Sequence, residues 1–299
     1  MRHLFKILLS VIISSGIAGE DSHAQTIYKD IVKDHQLSAT DSVRLVHYLV
    51  GMGIMEGKGE FVTKRKLYLD SALSIANWAD ALWFDKAYPL FFSGKYEIGM
   101  PYMDSAVKYN NKYMGYRGYL KCIFQKNYTA AIQDLKQAQT INGEGHVEDH
   151  SYDFYIGLCY LQLNKFDSSQ MKFDGLIKHT KAEHGWQMVH YLDWYYLGIS
   201  YFEEDEYIKA KACFDTCLKG YMFFPEAKFY KAWCLQELDQ ADAAQTLMEE
   251  ANMNFILGYT INDDNARYEL YPYQLTKYQL KNSLEILEEK NKHKQKDKF

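Results

Sequence analysis

Two histidines four residues apart with two acids between them, His146-Val147-Glu148-Asp149-His150, come closest in this sequence to catalytic or metal-binding chemistry. Imidazoles one helical turn apart can share a divalent metal, and a nearby carboxylate can serve as a further ligand or as general base. The order of residues argues against it. The zinc-protease arrangement needs Glu directly after the first His, where Val147 stands, and its inverted form needs Glu in place of Asp149. The surrounding NGEGHVEDHSYD reads instead as a loop entering a helix, with acids near the helix N-terminus. His179, His184 and His190 fit no single helical face, and neither a phosphate-cradling glycine loop nor a G-x-S-x-G nucleophile turn occurs. The sequence therefore predicts no catalytic residue, no metal ligand, no cofactor and no enzyme. A metal-dependent enzyme built on His146 and His150 is the most distant alternative.

The aromatic residues are the stronger signal. The chain holds 26 Tyr, 16 Phe and 5 Trp but only 4 Pro in 299 residues, a composition suited to long helices with aromatic faces. Trp194, Leu197, Gly198, Tyr201, Tyr207, Ala210 and Phe214 set a spacing that recurs along the chain. It returns at Gly157, Tyr160, Phe166, Phe173 and Leu176, at Tyr119, Cys122, Tyr128, Ala131, Leu135 and Ala138, and at Trp83, Ala87, Leu90, Gly94, Tyr96, Met103 and Ala106. A degenerate first copy is marked by Gly53, Leu69 and Ala72, and a sixth by Ala232, Leu235, Ala244, Met248 and Ala251. The echo of YLDSAL at 68–73 in YMDSAV at 102–107 is the clearest sign of repetition.

Such spacing calls for paired helices. Small residues such as Gly198 and Ala210 allow close crossing, and large ones such as Trp194, Tyr201 and Phe214 fill the gap to the next helix. Gly94, Asn164, Asp205 and Asp239 share one turn position, where the chain must tolerate left-handed backbone.

These residues resemble the tetratricopeptide repeat over about Val46 to Ala251, with 191–224 the best match. The resemblance implies an all-α fold: a right-handed superhelix, or α-solenoid, of stacked helix-turn-helix hairpins. The boundaries predicted are an N-terminal segment over 25–45, repeats at about 46–79, 80–111, 112–149, 150–190, 191–224 and 225–251, a capping segment over 252–290 and a basic tail over 291–299. The copies starting near 112 and 150 are long and predict extended inter-repeat loops. The family lines its concave groove with first-helix residues. Here they map to Phe84, Tyr88, Phe91 and Phe92, to Tyr113, Tyr116 and Phe124, and to Phe154, Tyr195, Phe202, Phe229 and Trp233.

That groove is aromatic and lacks the Lys, Arg and Asn clamp that holds chaperone tails. The resemblance thus implies a scaffold for a protein or peptide partner, specifically an apolar or amphipathic segment. Alternatively, the same side chains pack against inter-repeat loops or the C-terminal segment, and the protein is a structural subunit docking through its outer surface into a cell-envelope assembly. Alanine at Trp194, Tyr201 or Phe214 is expected to cost stability, whereas alanine at Tyr195 or Phe202 is expected to cost binding.

Arg2 and Lys6 precede an apolar run, Ile7 to Ile13, and small residues up to Ala24, which reads as a secretory signal peptide over 1–24 and predicts a periplasmic or secreted protein. No segment suffices for a membrane span. The net charge of −5 disfavours nucleic acid. Leu275, Tyr278, Leu280, Leu284 and Leu287 predict a capping helix over Gln274 to Lys290, and the YELYPY before it reads as packing around a proline turn. The 5 cysteines read as small buried hydrophobes, with a long-range disulfide left open.

Overall fold

The computed structural model describes residues 20–54 and 62–296. The leader predicted over 1–24 lies outside them up to residue 19, as does the basic tail beyond residue 296. Among the described residues there are fourteen α-helices and one two-stranded hairpin. No helix among them is long and apolar enough to cross a membrane. The chain divides into two compact units, Met1–Tyr113 and Met114–Phe299.

The first unit holds α1 (Glu20–Val32), α2 (Ala39–Ile54), α3 (Val62–Ile75), α4 (Asp80–Phe92) and α5 (Tyr96–Tyr109). The stretch expected to be an N-terminal segment is thus largely helical, and the first hairpin starts at Ala39. Ile31 of α1 joins Leu45, Leu49, Leu69, Ala72 and Leu73 in one buried cluster. Trp78 Nε1 ties α1 down by donating to the carbonyl of Ile31 at 3.0 Å. Leu69 and Ala72, like their echoes Met103 and Ala106, are buried, so the repeated motif marks the packed face of each second helix.

The second unit stacks four hairpins: α6 (Met114–Ile123) with α7 (Tyr128–Asn142), α8 (Tyr152–Gln162) with α9 (Phe166–His184), α10 (Tyr191–Phe202) with α11 (Tyr207–Gly220), and α12 (Pro225–Glu237) with α13 (Ala241–Ile256). The helix α14 (Lys277–Lys296) packs on α13 and buries Leu280 and Leu287, while Tyr278 points to solvent. Helix starts follow local chemistry. Asn127 and Ser151 accept from the amides of Ala130 and Phe154, and Pro225 occupies a first-turn position where its missing N–H costs nothing. At the start of α10 the His190 ring accepts from the Leu192 N–H, and the carboxyl of Asp193 reaches back to the His190 N–H, a reciprocal cap.

Gly94, Asn164, Asp205 and Asp239 all take the left-handed turn conformation expected of them, with φ of 68°, 54°, 58° and 59°. Lys126 does so as well, at 55°. Only one of the two long copies ends in an extended loop. The residues after α7 form a hairpin of His146–Val147 with His150–Ser151. In the next copy the extra length extends α9 to His184, because nothing between Leu176 and His184 breaks a helix before Gly185 at φ 86°.

Small residues set the helix separation. A Cβ built on Gly198 would lie 2.7 Å from the Phe214 ring, and one on Gly157 would lie 2.9 Å from the equivalent Phe173. Gly198→Ala is therefore expected to lower stability by about 1–3 kcal/mol despite its better helix propensity. Gly175→Ala, on a helix with nothing within 4 Å of the added carbon, is expected to raise it by about 0.5–1 kcal/mol. Thermal melts of the pair check both signs; a Gly198→Ala chain as stable as the parent would refute the close-crossing account.

Candidate functional site

In the second unit the first helices α6, α8, α10 and α12 share one face, and the residues between α13 and α14 lie along it. Apart from one 3-10 turn, Asp264–Arg267, this segment is irregular, so most of its backbone groups need partners other than a helical ladder. The face supplies them. Tyr195 Oη donates to the carbonyl of Tyr273 at 2.8 Å, and Tyr196 Oη to that of Pro272 at 3.1 Å. Lys126 Nζ donates to the carbonyl of Leu270 at 2.6 Å and lies 3.5 Å from the carboxylate of Glu269. The N–H of Asn262 donates to Tyr191 Oη at 3.0 Å.

Side chains of the segment answer in kind. Asp263 meets Nε2 of His150 at 3.1 Å, and Asn265 Nδ2 donates to Tyr119 Oη at 2.6 Å. Both ends are held by one acid in the first turn of α12. Glu226 Oε1 accepts from Thr260 Oγ1 at 2.7 Å and from the N–H of Leu275 at 3.4 Å. Ile261, Tyr271 and Leu275 sink their side chains into the face as apolar anchors.

Burial sets the protonation states. It pushes the Tyr119, Tyr195 and Tyr196 hydroxyls far above the usual phenol range, so they remain hydroxyls. It lifts the carboxyl of Glu226 to about 7, against the hydrogen bond from Thr260, and that of Asp193 to about 7, against the positive potential of His150. Burial and the neighbouring His150 together lower His190 to about 4. The Lys126 ammonium is also lowered by burial, opposed by Glu269.

The predicted groove residues fall into different environments. Phe154 and Tyr195 are fully buried, and Phe229 and Phe124 nearly so. Phe124 meets Tyr119 edge-on at 5.9 Å. Tyr195 lies beneath Tyr273 and among Tyr196, Phe224 and Tyr230. The expected order of burial at Trp194 and Tyr195 is reversed: Trp194 keeps part of its surface in solvent, and Tyr195 keeps none. The reason is the segment, which covers the face that bare hairpins would leave open. Tyr116, Phe202 and Trp233 are half-buried, Phe202 against Tyr230 and Trp233 near Lys290 Nζ of α14 at 5.5 Å.

In the first unit Phe84, Tyr88 and Phe92 form a row one turn apart along α4, each half-buried, with ring centroids 4.9 Å apart at both steps. Tyr113 stacks on Phe84 at 4.9 Å and is buried, and Phe91 turns inward onto Tyr96.

Sequence reasoning missed Tyr119, Lys126, Tyr191, Tyr196 and Glu226 as contacts of this face. Their common signal is indirect: a stretch after α13 too long for an ordinary connection and without helical period. The HVEDH motif lies in the expected inter-repeat loop, closed as a tight hairpin with Val147 opposite His150, and α8 starts just after it at Tyr152. Its two imidazoles diverge in environment. His146 is exposed, while His150 is buried and stacks on Phe154 at 3.7 Å. Among the described residues no group of three or more His, Cys, Asp or Glu is arranged to hold a metal.

No family model and no curated protein matches the sequence. Solved structures do match the fold. One is a tetratricopeptide repeat protein from Parabacteroides merdae, 13% identical over 96% of this chain and 98% of that one, with a TM-score of 0.52. Another is PilF of Pseudomonas aeruginosa, 15% identical over 73% of this chain and 95% of that one, with a TM-score of 0.52.

Proposed function

We propose that this chain, an all-α solenoid with the tetratricopeptide-repeat fold, is an exported interaction scaffold that binds another protein and performs no chemistry. One observation carries the reading. Phe84, Tyr88 and Phe92 form an aromatic row on a first helix, ring against ring, and each is only half-buried. A row one helical turn apart suits the apolar side of an amphipathic segment, and rings already packed on one another lose less side-chain entropy on binding than isolated ones. The leader-like pattern over 1–24 supports export to the periplasm or beyond.

Docking through the outer surface is the second reading. It is favoured by Met171 of α9 and Ile208 of α11, apolar side chains exposed on second helices. Affinity capture from the source cell with wild-type, Tyr88→Ala/Phe92→Ala and Met171→Ala chains separates the two. Affinity for a specific partner is expected to fall at least tenfold with Tyr88→Ala/Phe92→Ala, about 1.4 kcal/mol or more, and to stay with Met171→Ala. The converse pattern supports the outer surface. N-terminal sequencing of the native chain is expected to begin at Gln25, and an intact Met1 would overturn export.

A further inference from the structure

The face of the second unit behaves as a peptide-recognition surface that is already filled. Three of its contacts, from Lys126, Tyr195 and Tyr196, go to backbone carbonyls of residues 270–273. Donors aimed at a backbone read the path of a chain whatever its side chains, in the way a binding site does. Selectivity comes from two further places, where His150 receives a carboxylate and Tyr119 a side-chain amide. Glu226 is fully buried and its Oε1 holds both ends of the segment. The segment leaves α13 at Gly258, with φ of 89°, a residue whose freedom lets the chain change direction there.

We infer that residues 259–276 occupy this face as a ligand in cis, and that the face accepts in exchange a peptide in trans that takes the same path, with a 3-10 turn like Asp264–Arg267, and presents the same chemistry. That peptide offers a carboxylate to His150, an amide side chain to Tyr119 and a run of bare carbonyls around a tyrosine-proline turn. The segment thereby closes the face until such a partner displaces it. This surface is built from residues of the second unit and the Phe84, Tyr88 and Phe92 row from residues of the first, so each reading is tested by its own variants.

The test uses the full chain and a fluorescent synthetic peptide of residues 259–276. Asp263→Ala/Asn265→Ala removes the segment's own side-chain anchors and leaves the face intact. This variant is expected to bind the peptide at least tenfold more tightly than wild type, and adding His150→Ala is expected to remove most of that gain. A variant that melts cooperatively yet binds no peptide, or binds it equally well with His150→Ala, overturns the proposal. Amide hydrogen exchange on the wild-type chain provides a second reading that needs no variant. The amides of Asn262 and Leu275 are expected to exchange at least tenfold faster than those in the middle of α10, through an opening short of global unfolding. Equal protection in segment and helix would make the segment part of the fixed core and refute the exchange.

Discussion

Tyr195→Ala is expected to lower the free energy of unfolding by about 3–5 kcal/mol, the range for truncating a large buried side chain, while Trp194→Ala costs markedly less. Tyr195 is 0% exposed and its ring lies 5.0 Å from those of Tyr196 and Phe224. Its hydroxyl also serves the carbonyl of Tyr273, which alanine would leave without that donor. Tyr195→Phe isolates the second effect and is expected to cost about 1–3 kcal/mol. Trp194, by contrast, keeps part of its surface in water in the folded state, so less burial is lost on truncation. Urea unfolding of the three variants checks the order. A Trp194→Ala chain less stable than Tyr195→Ala would mean that the face is open in solution.

The second large effect is a dependence of stability on pH that passes through Glu226. Its carboxyl is raised from 4.5 to about 7 by burial, so the folded chain binds this proton more tightly than the unfolded chain does. The associated stability is fully present below pH 4.5 and is lost as pH rises to about 7, a swing of about 3 kcal/mol. Asp193, raised from 3.8 to about 7, acts in the same direction. His190, lowered from 6.5 to about 4, acts oppositely, contributing stability above pH 6.5 that is lost as pH falls towards 4.

Because these three groups overlap, the clean measurement is the difference between wild type and Glu226→Gln, in which the Asp193 and His190 contributions cancel. The Gln side chain cannot ionise, so the variant is expected to gain on wild type by about 3 kcal/mol between pH 4.5 and 8, on top of a constant offset from altered hydrogen bonds. Parallel stability curves would show that Glu226 is solvated and the segment's ends are not held as described.

The repeat architecture was legible in the sequence because it depends on contacts within a hairpin and between neighbouring hairpins. Gly198 against Phe214, Gly157 against Phe173 and the left-handed turn at Asn164, Asp205 and Asp239 are short-range requirements, and each copy restates them. Tyr119 with Asn265, His150 with Asp263 and Tyr195 with Tyr273 are different. These pairs are separated by 146, 113 and 78 residues, and no periodicity relates one partner to the other. The groove positions could therefore be enumerated from the repeat, but whether each faced water or protein could not. A tyrosine at such a place satisfies either outcome, since its ring packs and its hydroxyl bonds equally well to solvent or to a carbonyl. Only the path of the chain after α13, turned back over four first helices and held at both ends by Glu226, decided that the second unit's face is covered.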